Sequence, residues 1–245
     1  MNKKQKRIIF LVTVFAATFG IGMNVNAMHI MEGYLPPSLC IAWGILSLPF
    51  IVAGFFKIRK ILQEDRKNIT LIAMAGAFIF VISSLKIPSV TGSCSHMTGT
   101  GLGAMLFGVS SVSVLGLIVL LFQAILLAHG GITTIGANIF SMAIAGPVIS
   151  FLVYKLCKNL KVNRFVSVFL AATFGDIFTY CVTSIQLAIA YPSDTGVFTS
   201  IVKFLGVFAP TQLPLAVLEG VITVLIVIGL EKYAAPELKR IGFLD

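Results

Sequence analysis

Residues 87–154 read IPSVTGSCSHMTGTGLGAMLFGVSSVSVLGLIVLLFQAILLAHGGITTIGANIFSMAIAGPVISFLVY, a run of 68 residues with no Asp, Glu, Lys or Arg. A helix that crosses a membrane needs about 20 predominantly apolar residues. The run therefore has room for three crossings, which we place near 99–110, 113–128 and 133–154. The first is short and glycine-rich, so an irregular or tilted helix is expected there.

The whole chain has the composition of a membrane protein. Of its 245 residues, 58% are hydrophobic and 11% are charged, whereas soluble domains carry about 25% charged residues. The formal net charge is +9. The basic residues lie in short clusters between apolar runs, as in loops at a membrane surface, so we exclude nucleic acid as a partner.

The basic residues in the predicted loops indicate how many times the chain crosses the membrane. Four further apolar stretches predict spans near 38–56, 68–85, 165–191 and 204–230, with a loop over 191–210. The first two are uncharged, and the last two are interrupted by Asp176 and Glu219. Seven spans place twelve basic residues on the cytoplasmic side and two outside, if the chain after residue 27 is counted. This distribution follows the positive-inside rule. It predicts an all-α polytopic helix bundle in the cell membrane, with seven transmembrane helices and a cytoplasmic carboxyl terminus.

The first 27 residues predict a removable signal peptide. A basic start (Lys3, Lys4, Lys6 and Arg7) precedes an apolar segment over 8–22, and Val25-Asn26-Ala27 offers small residues at a cleavage site. The mature chain would be one domain over 28–245, with Met28 as its extracellular amino terminus. An uncleaved first transmembrane helix is the alternative interpretation.

Cleavage before Met28 would create a metal chelate. The Met28 amine, the His29 backbone nitrogen and the His29 imidazole can close two fused rings on one ion, and the His96 imidazole can complete a square of nitrogens. Such a planar site favours Cu(II) or Ni(II) and also holds low-spin Co(II). Oxygen-seeking Mg²⁺ and Ca²⁺ do not suit it.

Four stretches carry a family resemblance. They are MHIMEGYLP (28–36), SHMTGTGLGA (95–104), AHGGITTIGAN (128–138) and QLPLAVLEG (212–220). Together they resemble the CbiM/NikM family, the substrate-binding S components of energy-coupling-factor (ECF) transporters for cobalt and nickel. Cys94 and Met97 depart from the small residue or proline that family members often have at these positions.

The resemblance implies a ligand set and a set of partners. The ligands would be the Met28 amine, the His29 backbone nitrogen and the imidazoles of His29 and His96. The expected cargo is Co(II), for supply to cobalamin biosynthesis, with Ni(II) as the alternative. The partners would be a coupling transmembrane subunit resembling CbiQ, ATPase subunits resembling CbiO and a small accessory membrane subunit resembling CbiN.

Several other residues are candidates for supporting roles. His129, at a Gly-Gly turn, is expected to hold the turn or to assist the metal site. Asn138 and Gln212 are possible hydrogen-bond partners of the metal segment or of other helices. Glu219, a carboxylate within a span, is expected to orient the outer loops or helices. Asp176 is expected near the inner end of its span.

An alanine pair offers a docking face. Ala73 and Ala77 lie four residues apart on one predicted helix, so another helix can approach closely there. The pair can serve packing within this chain. S components resemble one another in using such a pair to dock the coupling subunit.

No catalytic motif is present. The chain lacks GxxxxGK[ST], HExxH and GxSxG, so it cannot hydrolyse ATP alone and we predict no enzyme activity. An intramembrane metalloprotease, which would need a water-activating site at membrane depth, and a stand-alone metal channel, which would need charged pore rings, are the rival interpretations.

Overall fold

Helices dominate the computed structural model, which describes residues 26–27, 29–88 and 93–244, with backbone alone for 26, 27, 87, 88, 93 and 94. The helices are α1 (Pro37–Glu64), α2 (Asn68–Ser84), α3 (Thr100–Phe107), α4 (Val109–Leu127), α5 (Ile135–Asn159), α6 (Arg164–Ala190), α7 (Val197–Tyr233) and α8 (Ala235–Arg240). The strands are β1 (Asn26–Ala27), β2 (Lys86–Pro88) and β3 (Ser93–His96).

Five of these helices, α1, α4, α5, α6 and α7, are long and apolar enough to cross a membrane. At 1.5 Å per residue, the 28 residues of α1 rise about 42 Å and the 37 residues of α7 about 55 Å. Both lengths exceed the roughly 30 Å of hydrocarbon in a bilayer. Large apolar side chains, such as Ile45 and Leu225, are more than half exposed on the outside of the bundle. The prediction of an all-α membrane bundle is therefore confirmed in outline.

The short helix α3 differs from the full span expected near 99–110. It has eight residues, which rise about 12 Å, and every one of them is buried. Gly99 and Gly108, with φ of +68° and +81°, bound it on either side. Alone it is too short to cross hydrocarbon, so the count of seven crossings stays a prediction.

Helix α7 begins earlier than the sequence predicted. The expected span over 204–230 lies within this helix, but the expected loop over 191–210 is wrong from residue 197 onward, because the helix already begins at Val197. Pro210 and Pro214 lie inside it without ending it. Proline is tolerated in membrane helices where neighbouring groups satisfy the freed backbone, and this tolerance removes the usual signal for a helix boundary.

A small sheet is the second departure from an all-α expectation. Strand β3 lies in the middle, with β1 parallel on one side and β2 antiparallel on the other. The register places Lys86 opposite His96. Strands of two to four residues carry no periodic pattern, so nothing in the sequence predicted them.

Small residues let α5 and α6 approach closely in the centre of the bundle. A Cβ on Gly146 would lie 2.0 Å from the hydroxyl oxygen of Thr179, and one on Gly175 would lie 1.9 Å from that of Ser150. Either methyl group would force the helices apart. The close contact makes α6 an interior helix, and it carries polar side chains into the centre of the protein.

Candidate metal centre

Three histidines from distant parts of the chain meet at the end of the bundle where α1 and α3 begin. His29 precedes α1, His96 ends β3, and His129 follows α4. Their ring centroids lie 4.3, 4.4 and 5.1 Å apart. All three are at most 3% exposed. One nitrogen from each ring lies within 4.8 Å of those of the other two. Neutral imidazole is the commonest metal ligand among protein side chains, so the cluster is a candidate metal site.

The closest contact in the cluster joins His29 and His96. Nδ1 of His29 lies 2.5 Å from Nε2 of His96. On its other side, Nδ1 of His96 lies 2.9 Å from the carbonyl oxygen of Met97. A carbonyl only accepts, so that contact assigns the His96 proton to Nδ1 and leaves a lone pair on Nε2. The lone pair faces Nδ1 of His29, where either a shared proton or one metal ion can join the two rings.

Burial keeps all three rings neutral. Loss of solvation lowers the pKa of His96 from 6.5 to about 4 and that of His129 to about 2. Burial lowers the pKa of His29 well below 6.5, and electrostatic interaction with His96, His129 and Lys86 lowers it further. Because a metal binds the neutral ring, no histidine proton has to be displaced at neutral pH.

The amino-terminal segment is fastened by the α4–α5 connection. The backbone N–H of Ile30 donates to Oδ1 of Asn138 at 2.8 Å, and Nδ2 of Asn138 donates to the carbonyl of Ile30 at 3.0 Å. The hydroxyl of Thr134 donates to the same carbonyl at 2.6 Å. These bonds hold the residue next to His29 from both sides, so they fix where its imidazole lies.

A second fastening lies two residues further along. The backbone N–H of Thr133 donates to the Glu32 carboxylate at 3.1 Å, and the Thr133 hydroxyl also donates to it. These bonds lower the pKa of Glu32. Gly131 makes the contact possible, because a Cβ there would lie 2.6 Å from the backbone of Glu32.

Helices α6 and α7 hold the His96 segment. Nε2 of Gln212 donates to the carbonyl of His96 at 3.1 Å and to Oδ2 of Asp176 at 2.6 Å. The Glu219 carboxylate accepts from the backbone N–H of Thr98 at 2.5 Å and from that of Gly99 at 2.9 Å. The backbone that leads from His96 into α3 is thus tied to side chains in the protein interior.

Asp176 lies elsewhere than predicted. It was expected near the inner end of its span, but its side chain is completely buried in the middle of α6 and contacts Gln212. Its position follows from the interior location of α6. A carboxylate in an otherwise uncharged span was the available signal. No comparable signal pointed to Thr98, Thr134 or Glu32.

The remaining predicted residues occupy different places. Met28 lies outside the described residues, as does the predicted signal peptide apart from the backbone of Asn26 and Ala27. Met97 packs with Ile82 and Leu215 in a small apolar cluster. The side chain of Cys94 is outside the described part. The alanine pair, Ala73 and Ala77, is exposed on one face of α2.

Comparisons with known proteins agree on one family. The model of the CbiM family, described as the cobalt uptake substrate-specific transmembrane region, matches residues 29–237. The cobalt transport protein CbiM of Lachnoclostridium phytofermentans is 68% identical over 246 residues, covering 100% of this chain and 98% of that protein. The namesake from Ruminiclostridium cellulolyticum is 57% identical over 236 residues, covering 96% and 95%.

Two solved structures share the fold. A crystal structure of a truncated transition metal transporter superposes with a TM-score of 0.74 at 28% identity and covers 84% of this chain and 99% of that one. A second transition metal transporter gives a TM-score of 0.72 at 30% identity, with coverage of 83% and 92%. With its long apolar helices and buried histidines, this chain is a multi-pass membrane protein that belongs to the CbiM family of cobalt transport proteins.

Proposed function

We propose that this chain is the substrate-binding S component of an ECF-type importer and captures Co(II) outside the cell for supply to cobalamin biosynthesis. The mature chain would begin at Met28, after removal of residues 1–27. The observation that carries the proposal is the pair of imidazole nitrogens, Nδ1 of His29 and Nε2 of His96, 2.5 Å apart in a buried cluster.

The spacing of these nitrogens supports a square of four nitrogens. If the Met28 amine, the His29 amide nitrogen and His29 Nδ1 occupy three successive corners, the fourth corner lies beside Nδ1. Nitrogens on adjacent corners, each about 2.0 Å from a metal, lie about 2.8 Å apart. Nε2 of His96 lies within a few tenths of an ångström of that distance from Nδ1 of His29, so a small shift would bring both onto one ion.

The donor set narrows the choice of metal. Planar nitrogen coordination suits Ni(II), Cu(II) and low-spin Co(II). The relatives named above are cobalt transport proteins, and this favours Co(II) as the cargo. The solved structures carry the broader description of transition metal transporters, so Ni(II) is the alternative cargo.

Proton release accompanies capture in this scheme. The three imidazoles are already neutral because burial lowers the pKa of each. The Met28 amine, with an ordinary pKa of about 7.7–8.0, and the His29 amide must each lose a proton to bind. Capture should therefore strengthen as pH rises and weaken as it falls.

Energy for import would come from partner proteins. The chain has no phosphate-binding loop, so we assign ATP hydrolysis to CbiO-like subunits, coupled through a CbiQ-like membrane subunit and assisted by a CbiN-like accessory subunit. The exposed pair Ala73 and Ala77 on α2 is the proposed docking face for the coupling subunit. The mature amino terminus would be extracellular and the carboxyl terminus cytoplasmic, and the chain would reorient in the membrane to release the metal.

The sharpest test changes the amino terminus and leaves every side chain in place. Purified protein with the native Met28 terminus is compared with an acetylated form and with a form extended by one residue. Either change turns the amine into an amide, and we expect a loss of bound Co(II) comparable to that of His29→Ala. Equal metal in all three forms would show that the amine is not a ligand and would overturn the chelate.

The cargo is tested separately. Cells that express the complete transporter take up radiolabelled cobalt in the presence of rising unlabelled Ni(II) or Co(II). A cobalt transporter should be inhibited by Co(II) at the lower concentration. Stronger inhibition by Ni(II) would reassign the cargo to nickel.

A further inference from the structure

An open groove lies beside the carboxyl-terminal end of α1, at the opposite end of that helix from the histidine cluster. Residues of α1, α2 and α4 line it, and its volume is about 760 Å³. Ligand pockets in proteins commonly have about 300–1,000 Å³. The lining residues are Phe55, Ile58, Arg59, Leu62, Gln63, Arg66, Ile69 and Val114.

The groove combines an apolar wall with basic side chains. Phe55, Ile58 and Leu62 follow one another on one face of α1 and form an apolar wall about 10 Å long. Phe55 is 59% exposed and Ile69 is 58% exposed. In a membrane protein such side chains face the hydrocarbon. The wall therefore offers contact to an alkyl chain that runs parallel to the helix.

Two arginines line the groove, and neither has a carboxylate partner among the described residues. Arg59 and Arg66 line the groove, and the part of the chain that the structure describes provides no ion pair for either. The nearby acids are engaged elsewhere. Asp65 pairs with Arg240 at 2.9 Å, and Glu64 lies 3.9 Å from Lys60.

The surrounding segment adds to the positive charge. Residues 57–67 contain five Lys or Arg and two Asp or Glu, so their net charge is +3. In the proposed orientation this end of the bundle faces the cytoplasm. The cytoplasmic leaflet carries anionic lipids, and basic pockets between transmembrane helices on this side bind their headgroups.

We propose that the groove between α1, α2 and α4 binds an anionic phospholipid of the cytoplasmic leaflet, with its phosphate at Arg59 and Arg66 and an acyl chain along Phe55, Ile58 and Leu62. The occupant must be amphipathic, because arginines without an ion pair and an apolar wall line the same groove. It must be anionic, because no acid is among the described residues that line the groove.

A second groove shows why the charges matter. It lies between α2 and the end of α7, has a volume of about 630 Å³ and is also largely apolar. Its polar end carries Lys67 and Glu237, which have opposite charges. That groove therefore has no preference for an anionic headgroup, and it serves as an internal reference for lipid binding that depends only on apolar contact.

The test measures lipids retained by the purified full chain in native mass spectrometry. Dioleoyl phosphatidylglycerol and dioleoyl phosphatidylcholine, which have the same acyl chains, are titrated in parallel. The protein should bind phosphatidylglycerol more tightly. Arg59→Gln with Arg66→Gln should weaken phosphatidylglycerol binding about 25-fold, since each basic residue contributes about fivefold, and should leave phosphatidylcholine binding unchanged.

Matched variants separate charge, shape and nonspecific effects. Lys155→Gln with Lys161→Gln removes two exposed charges from the end of α5 and the turn that follows it, on the same side of the bundle, and should change binding less than about twofold. Arg59→Lys with Arg66→Lys keeps the charge and should keep the preference for phosphatidylglycerol. Ile69→Trp fills the groove and should weaken phosphatidylglycerol binding although both arginines remain.

Three results would overturn the proposal. The first is an equal affinity for the two lipids in the unmodified chain. The second is an equal loss of phosphatidylglycerol in the Arg59/Arg66 and Lys155/Lys161 glutamine variants. The third is unchanged lipid binding in the Arg59/Arg66 variant together with failure to assemble with the coupling subunit, which would assign the groove to a protein partner.

Discussion

Asn138 offers a direct test of how the metal site is held together. Its side chain makes two hydrogen bonds to the backbone of Ile30, the residue after the proposed ligand His29. Asn138→Ala removes both bonds. The carbonyl of Ile30 keeps its bond from Thr134 at 2.6 Å, whereas the N–H of Ile30 loses its partner in a buried position.

The magnitude follows from the groups left without partners. An unsatisfied buried donor costs about 1–3 kcal/mol. The cost destabilises the conformation in which His29 is positioned to bind a metal. Partners that orient a metal ligand typically contribute about 10- to 100-fold to affinity, which corresponds to about 1.4–2.8 kcal/mol. We therefore expect Asn138→Ala to raise the Kd for Co(II) by about 10- to 100-fold.

The assay is calorimetric titration of Co(II) into the purified full chain. Ser141→Ala is the matched control, because Ser141 is buried on the same helix and its hydroxyl bonds only to the carbonyls of Ala137 and Asn138 in that helix. The control should leave the Kd within about threefold of the unmodified protein. If the two variants bind Co(II) equally well, the Asn138 amide does not position His29 and the reasoning fails.

Three further predictions concern the ligand, the pH dependence and the topology. His96→Ala should abolish tight Co(II) binding while the protein still inserts and folds; unchanged affinity by calorimetry would remove His96 from the site. Burial lowers the pKa of His96 to about 4 and of His129 to about 2, so the unfolded chain binds more protons than the folded chain below about pH 6.5. The unfolding temperature of the metal-free protein should therefore fall as pH drops from about 6.5 towards 4. An unfolding temperature that does not change over this pH range would contradict neutral buried rings. Cysteine labelling should reach positions near Val162 from the cytoplasm and positions near Asp194 from outside, and the reverse pattern would refute the proposed orientation.

Charge distribution and span length predicted most of the architecture. An uncharged run of 68 residues can only be accommodated by several helices, and α4 and α5 begin within a few residues of the expected positions. The errors have physical causes. Helix α3 is short because it is buried among other helices and need not match the thickness of the hydrocarbon. Helix α7 begins before its two prolines, and they do not end it, because neighbouring groups in a membrane protein can satisfy the backbone that a proline frees. The prolines therefore gave no sign of where the helix begins.

The sequence predicted that His29 and His96 lie close together, and less of what surrounds them. A histidine next to a new amino terminus has a defined chelating chemistry, and His96 is a histidine in a predicted outer loop that can complete it. The approach of His129 to within 4.4 Å of the His29 ring required the structure. So did the link from Asp176 through Gln212 to His96, because hydrogen bonds between distant helices leave no spacing in the sequence.

The two halves of the proposed site differ in how they can move. His96 lies in a segment held at both ends, by the sheet before it and by α3 after it, and Gln212 and Glu219 tie that segment to interior helices. His29 would lie one residue from a free chain end once the signal peptide is removed. The hydrogen bonds that fasten its neighbours Ile30 and Glu32 come from Asn138, Thr134 and Thr133, which lie in the α4–α5 connection and the first turn of α5. A metal ion held between the two should therefore enter and leave through displacement of the amino-terminal segment, while His96 stays in place as the fixed ligand.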